Sequence, residues 1–555
     1  MSTKNLFGLI CIAATLAGSL SADSLPPGSQ DRRLAELAMK GDRDGVRSLL
    51  QQKVDVNAAQ GDGMTALHWA AHTNDLEMAR MLIAAGASVK SATRLEGLTP
   101  LALACTNGNA PMVEILLKAG ADANSANGIW TALMMASSSG SVETVKLLLD
   151  HGADVNVKET SHSQTALMFA SGHNRDGVIR ILAARGADLD ATSEVTHIVR
   201  GPVDANGEPL PISAAGAGGG PDRSINRVMG GMTALHFAAR DGQKEAVRAL
   251  VEAGANVNMV SPGDKSTPLV IAITNGHYEV AKYLVDHNAN PNLATIDGLA
   301  ALYAAIDCQW KPVAWEPTPV VDQEKVSYLE LTKALLDHGA DPNQKLTKKL
   351  WFRPVDHDGM WVRYSGTTPF WRAAQATDVD VMKLLVAHGA DPKVASDQKD
   401  TPLAMAAGVG WTGNFSTNAP ESFLKAAKYL VEEIGLDINT QDAQGYSPIM
   451  GAAYRADNET VQYLVERGAK LDYRTEKGWS VTDMANGPCC FAIGGSLPIP
   501  HPETVALLLK LGAPELLAHD GEETLGVNDK SKRLSQGSTR KNPEETTEPV
   551  EKKSK

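Results

Sequence analysis

The feature that most constrains this chain is an internal repeat. Eleven times, at intervals near thirty-three residues, a Thr-Ala-Leu or Thr-Pro-Leu opening or a close variant leads into an Ala-rich stretch, a Leu/Val-rich stretch and Gly-Ala-Asp. Segments 62–88 and 230–256 read DGMTALHWAAHTNDLEMARMLIAAGAS and GGMTALHFAARDGQKEAVRALVEAGAN. A period of this length predicts units that pack on their neighbours and share one continuous core. Such a stack has no built-in catalytic cleft.

One unit, residues 128–160, shows how the pattern predicts local structure. Thr131 precedes the Ala-rich stretch, and a Thr hydroxyl is a good acceptor for the free N–H groups at a helix start. Gly140 ends that stretch, and apolar residues then recur at helical spacing from 142 to 149. Gly152 supplies the left-handed residue that ends a second helix. We therefore expect two short antiparallel helices and a projecting loop in each unit.

This order of residues resembles the ankyrin repeat, over about residues 31–515. The resemblance implies an all-α solenoid of about 11–12 helix-turn-helix units, with a worn, polar first unit at 31–57 as its cap. The family's His after Thr-Pro-Leu survives only at His68 and His236, so we expect weaker hydrogen bonding between units. The openings are Thr65, Thr99, Thr131, Thr165, Thr233, Thr267, Ala300, Thr368, Thr401, Ser447 and Ser480.

Five insertions interrupt the period. Two fall between repeats, at about 192–230 and 345–366, and three fall between the two helices of a repeat, at about 308–326, 408–421 and 487–502. The three occur in alternate repeats, so stacking should place them on one rim. Six of the nine Trp lie between residues 310 and 411, mostly in or beside insertions. These loops either form an interaction site or fold down over the inner helices, and the sequence leaves both interpretations open.

The resemblance also implies where a partner would bind. Ankyrin repeats bind partners through projecting loops and first helices, and the residue just before each opening is a usual contact point. In this chain those residues are partly apolar or aromatic, which favours a protein or peptide partner. Few aromatic residues dominate most interfaces. The predicted partner-binding anchors are Trp130, Tyr446, Trp479, Trp351 and Trp361.

The two ends of the chain predict export and a disordered tail. Lys4 precedes an apolar run to about Leu20, and the small residues that follow suit cleavage, so residues 1–22 are interpreted as a signal peptide. We expect an exported, bacterial protein that is periplasmic or secreted. Residues 516–555 are rich in Lys, Glu, Ser and Thr, which predicts a disordered charged tail. Cys105 and Cys308 lie on Ala-rich helices and are expected to be buried.

Charge and motifs exclude several function classes. The formal net charge of −13 disfavours nucleic-acid binding. No second apolar stretch approaches the length that spans a membrane, so we expect no stable membrane insertion, and a monomer. The common nucleophile, zinc, phosphate-loop and haem motifs are absent from the sequence. We expect no catalytic residue, no cofactor and no metal.

The sequence therefore predicts a non-catalytic protein–protein interaction scaffold outside the cytoplasm. One alternative is a small-molecule or glycan site, with enzymatic activity left open, formed by the Trp-rich insertions. Another is a secreted effector that acts on host proteins.

Overall fold

Twelve pairs of short helices make up the part of the chain that the structure describes. The predicted signal peptide, Cys489, Cys490, Trp351 and Trp361 lie outside it, as does the charged tail apart from Leu516. The computed structural model describes residues 32–200, 225–311, 321–348, 350, 362, 364–411, 416–419, 423–487 and 500–516.

The first helix of each pair is short and rich in Ala. Most of these helices begin after a Thr or Ser in extended backbone, and Thr99 Oγ1, for example, accepts a hydrogen bond from Ala102 N at 3.1 Å. The first helices are α1 (Arg33–Met39), α3 (Ala66–His72), α5 (Pro100–Thr106), α7 (Ala132–Ser139), α9 (Ala166–Gly172), α11 (Ala234–Arg240), α13 (Pro268–Thr274), α15 (Ala301–Gln309), α17 (Pro369–Gln375), α19 (Pro402–Ala407), α21 (Pro448–Tyr454) and α23 (Val481–Asn486).

The second helix of each pair carries the larger aliphatic side chains. Helix α20 continues as a π-helix over Tyr429–Glu433, because this repeat has one residue more than its neighbours before the terminating Gly435. The second helices are α2 (Arg43–Gln51), α4 (Leu76–Ala84), α6 (Ala110–Lys118), α8 (Val142–Asp150), α10 (Asp176–Ala184), α12 (Lys244–Glu252), α14 (Tyr278–Asp286), α16 (Tyr328–Asp337), α18 (Val379–Ala387), α20 (Phe423–Lys428), α22 (Asn458–Glu466) and α24 (Pro502–Lys510).

The helices form two compact units, α1–α14 and α15–α24. Within each unit, every first helix packs on the first helix before it and the one after it. Alanines such as Ala70 and Ala104 are fully buried there, since their small side chains let neighbouring helices approach closely. Cys105 and Cys308 are buried on first helices, as predicted.

A short two-stranded sheet departs from the otherwise helical fold. Strands β1 (Val195–Arg200) and β2 (Ile225–Gly230) pair at the two ends of the first between-repeat insertion. Backbone bonds from Ser193 N to Met232 O and from Gly231 N to Glu194 O, both 3.0 Å, extend the pairing. The sequence pattern predicted an insertion between repeats here but no strands. The all-α interpretation holds for the rest of the described chain.

An asparagine joins successive repeats within each unit. In the Asp122-Ala123-Asn124 turn, Asn124 Nδ2 donates to Gly152 O at 2.9 Å, and Asn124 Oδ1 accepts from Asp154 N at 2.8 Å. These bonds satisfy a backbone carbonyl and an N–H in the turn that follows the next second helix. We call this arrangement the Asn clamp. It recurs with both bonds at Asn57, Asn156, Asn292, Asn343 and Asn439.

The family's missing histidines are partly replaced by other donors. His68 Nε2–H donates to Leu98 O at 3.0 Å, and His236 makes the same bond to Ser266 O at 3.1 Å. Burial lowers the pKa of His236 to about 4, so this ring is neutral near pH 7. At the equivalent position, Trp371 Nε1 donates to Asp400 O at 2.9 Å. The expected weak hydrogen bonding at this repeat position therefore holds for apolar residues such as Ala102 and Val270 and is wrong for Trp371, and the Asn clamp adds a second set of bonds between repeats.

Replacing Asn124 with Ala should lower the free energy of unfolding by about 1–2 kcal/mol, because two bonds between repeats are lost. Urea denaturation followed by circular dichroism measures this. Lys90→Ala is the matched control, since Lys90 holds the same register one repeat earlier and is exposed. Equal effects of the two substitutions would contradict a stabilising role for the clamp.

Candidate functional site

Trp130 lies on a projecting loop of the first unit, which we call a finger. The finger turn is held by Asn127, whose Oδ1 accepts from Trp130 N at 2.7 Å. The Trp130 ring is half-buried and packs edge-on against Phe169 of α9, with ring centroids 5.6 Å apart. In the same way, Trp69 Nε1 of α3 donates to Gln60 of a finger at 3.0 Å. Fingers and first helices therefore form one surface.

A row of apolar side chains follows the first helices on this surface. Each lies four residues after the opening Thr, so stacking places them in register. Trp69, Leu103, Phe169 and Ile271 are half-buried, whereas Met135 and Phe237 are buried. The sequence analysis missed this row, although the repeated spacing from the opening Thr is a signal that could have revealed it.

Finger tips extend the apolar surface into solvent. Leu95 is 74% exposed and Ile129 is 47% exposed. Large apolar side chains that remain exposed next to a half-buried apolar row are typical of an interaction site. We define the finger face as Leu95, Ile129, Trp130, Trp69, Leu103, Phe169 and Ile271.

Two other predicted anchors, Tyr446 and Trp479, lie in the second unit. Tyr446 is only 4% exposed, and its backbone N donates to Asp442 Oδ1 at 2.8 Å within a finger of the second unit. Trp479 is half-buried on the next finger, with Lys477 Nζ 4.9 Å from its ring centroid. Trp351 and Trp361 lie outside the described residues. Of the three anchors that the structure describes, Trp130 thus lies in the first unit, and Tyr446 and Trp479 lie on consecutive fingers of the second.

In the second unit, two insertions pack onto the repeat between them. Thr417 Oγ1 donates to Lys311 O at 2.9 Å, which joins the insertion after α19 to the one after α15. Asn418 Nδ2 donates to Gln375 O at 2.9 Å, where α17 ends. The described parts of these two insertions therefore lie on one rim, as predicted. The third insertion of this type falls largely outside the described residues.

A buried polar cluster lies under these insertions. Arg372 Nε donates to Asp307 Oδ1 at 2.9 Å, and both side chains are almost fully buried. Arg372 Nη2 also donates to Trp310 O at 2.6 Å. Trp310 Nε1 and Tyr328 OH both donate to Asp378 Oδ2, at 2.8 and 2.6 Å. Trp310 therefore serves packing, which favours the interpretation in which these loops cover the inner helices.

Trp411 and Phe423 pack around a second buried arginine. The Arg455 guanidinium lies 5.7 Å from the Trp411 ring centroid and 3.1 Å from that of Phe423. Its Nη2 donates to Asp457 Oδ2 at 2.5 Å. Burial lowers the pKa of Arg455 to about 10, which leaves it charged near pH 7. Gly408 is required beside it, since its φ is +105° and a Cβ there would lie 2.4 Å from Arg455 Nε.

The repeat arrangement matches a known protein family. The family model described as ankyrin repeats (3 copies) matches residues 34–127, 122–193, 215–311 and 371–475, more than half of the chain. The chain is an ankyrin-repeat protein. Helix pairs, fingers and the Thr-capped first helices all agree with that assignment.

Similar proteins share parts of this ankyrin array. The chain is 25% identical over 262 residues to alpha-latrocrustotoxin-Lt1a of Latrodectus tredecimguttatus, covering 46% of this chain and 16% of the toxin. It is 27% identical over 268 residues to the E3 ubiquitin-protein ligase KEG of Arabidopsis thaliana, covering 47% and 14%. It is 37% identical over 75 residues to the B-cell lymphoma 3 protein homolog of Mus musculus, covering 14% and 17%. The chain thus spans less than a fifth of each of these three.

The rim formed by the insertions after α15 and α19 encloses a small cavity. This cavity lies between Trp310, Arg372, Met405 and Trp411, and its volume is about 20 Å³. This is room for about one water molecule, whereas small-molecule pockets usually measure hundreds of Å³. The described residues at this rim therefore form packing and not a small-molecule pocket. Among the residues that the structure describes, no group of three or more His, Cys, Asp or Glu could hold a metal ion.

No helix in the described ranges is long and apolar enough to cross a membrane.

Arg372→Met should lower the free energy of unfolding by about 3 kcal/mol or more, because it leaves the Asp307 carboxylate buried without its cation. Adding Asp307→Asn should restore part of that loss by removing the charge. Urea denaturation of the single and double variants measures both effects. A double variant as unstable as Arg372→Met would show that packing, and not the uncompensated charge, carries the cost.

Proposed function

We propose that this ankyrin-repeat protein is a non-catalytic scaffold that binds a protein or peptide partner on the finger face of its first unit. The observation that carries the proposal is the exposed apolar side chains of Leu95 and Ile129 beside the half-buried Trp130–Phe169 pair. Burying such side chains against a partner removes apolar surface from water, which favours association. Aromatic side chains of this kind are the usual anchors of protein interfaces.

The spacing of the apolar row supports a peptide-like partner. Neighbouring packed helices lie about 8–10 Å apart, so the row presents an apolar side chain at about that interval. An extended segment rises about 3.3 Å per residue, and a helix about 1.5 Å. Apolar residues at every third position of a polyproline II segment, which has three residues per turn, or at every seventh position of a helix, lie on one side and recur at about this interval.

The second unit leaves fewer aromatic side chains exposed to a partner. Its Trp310 and Trp411 pack within the rim, and Tyr446 is buried. Trp479 remains half-buried on its finger, and it is proposed as a separate contact within the second unit. Trp351 and Trp361 keep their place as proposed anchors on the strength of their sequence context alone.

The partner-binding proposal is tested by crosslinking the protein in its native compartment, identifying the partner by mass spectrometry, and measuring the affinity of purified variants. Trp130→Ala should weaken binding about thirtyfold, as expected for an interface anchor. Leu95→Ser should weaken it by a smaller factor.

Leu509→Ser provides the matched control, since Leu509 is 41% exposed on α24, away from the fingers. Circular dichroism verifies that each variant is folded. If Trp130→Ala and Leu95→Ser bind as tightly as Leu509→Ser, the finger face is not the binding surface.

We further propose that the protein acts outside the cytoplasm, since Lys4 and the apolar run after it have the pattern of a signal peptide. Expression of the full chain in a Gram-negative host should give a shorter product outside the cytoplasm that begins near Asp23. Cell fractionation with N-terminal sequencing checks this, and an uncleaved product in the cytoplasm would contradict export.

A further inference from the structure

Two aspartates meet between consecutive fingers of the second unit. Asp400 directly precedes the opening Thr401, and its finger turn is closed by Ser396 N, which donates to Asp400 O at 3.0 Å. Asp442 lies in the next finger, where its N donates to Tyr446 O at 3.0 Å. Asp400 is fully buried and Asp442 is 9% exposed. A backbone bond from Ala443 N to Gln398 O at 2.8 Å joins the two fingers beside them, and the two carboxyl groups face each other.

One oxygen of each carboxyl group is used within its own finger. Asp400 Oδ2 accepts from Ser396 Oγ at 2.5 Å, and Asp442 Oδ1 accepts from Gln444 N and Tyr446 N, both at 2.8 Å. The other oxygens, Asp400 Oδ1 and Asp442 Oδ2, are buried without a donor from the described residues. Two facing carboxylates would repel each other in this dry setting, whereas one shared proton gives both remaining oxygens a partner.

The charged groups on the neighbouring elements do not neutralise the pair. Asp397 and Lys399, on the finger of Asp400, are exposed, as are Arg474, Glu476 and Lys477 on the finger that follows Asp442. Arg474 Nη1 donates to Gly478 O at 2.9 Å. Trp371 of α17 is neutral, and its Nε1 donates to the backbone carbonyl of Asp400 and not to the carboxylate.

We propose that Asp400 and Asp442 share one proton in a carboxyl–carboxylate hydrogen bond that joins two consecutive fingers, and that this join weakens when the proton is lost.

The direction of the pH dependence follows from the surroundings of the pair. Burial, and then the charge of Asp442, raise the pKa of Asp400 to about 7, and burial also raises the pKa of Asp442. A pKa that is higher in the folded than in the unfolded chain means that the folded state holds the proton more tightly. The stabilisation is therefore complete at low pH and is lost as the pH rises through about 7.

The test is urea unfolding of the full chain at pH values from 4 to 9. Between about pH 4 and pH 7 the unfolding equilibrium constant of the wild type should gain up to about tenfold per pH unit from this one proton, and the contribution should level off above pH 7. Asp400→Asn should lose that contribution, because an amide donates permanently to Asp442 Oδ2. Asp442→Asn is a second, independent variant with the same expectation. Asp397→Asn, on the same finger but exposed, should keep the wild-type pH dependence.

Hydrogen exchange gives a local measurement that does not depend on global unfolding. Amides of residues 396–400 and 442–446 should lose protection as the pH rises from about 5 to about 7.5 and then level off, after correction for intrinsic rates, in the wild type and not in Asp400→Asn. The proposal is overturned if both Asn variants keep the wild-type pH dependence. It is also overturned if added Ca²⁺ protects these amides to the same extent at pH 6 and at pH 8.5, since the pair would then be a cation site.

Discussion

The structure depends on hydrogen bonds that pass from one repeat to the next. A single pair of short helices cannot bury its own apolar side, so each pair is stable only against its neighbours. Packing of small residues such as Ala70 and Ala104 brings first helices together, but this contact is not directional. Direction comes from Asn124 and its equivalents, and from His68, His236 and Trp371, because each bond fixes one repeat against a named backbone atom of the next.

The two units are built from the same repeat, but the first leaves an apolar surface exposed and the second covers its aromatic residues. The first unit leaves its finger face open, with Leu95 and Ile129 in solvent and an apolar row behind them. In the second unit, insertions place Trp310 and Trp411 against the buried arginines Arg372 and Arg455. Since a buried charge is costly without close partners, those loops gain rigidity from the pairing and give up exposed aromatic surface. The aromatic content of the insertions is therefore poor evidence for binding there.

The sequence predicted the repeat units, their helix starts and the placement of two insertions on one rim, because caps and glycines act locally. It could not predict that Tyr446 is buried, since the residue before the opening Thr is exposed or buried according to how neighbouring fingers pack. The pairing of β1 with β2, and the contact of Asp400 with Asp442, join residues 25 or more positions apart. Such contacts leave no local pattern in the chain.

The bond from Thr417 to Lys311 has a mechanical consequence. It links the eighth helix pair to the tenth, and Asn418 fastens the same loop to the ninth. In an array held only by contacts between neighbours, any repeat can open by itself at the cost of its two interfaces. Here hydrogen bonds connect three successive repeats at one edge, so none of them can open without disturbing the other two. These three repeats should therefore unfold as one cooperative unit, whereas other repeats can open individually.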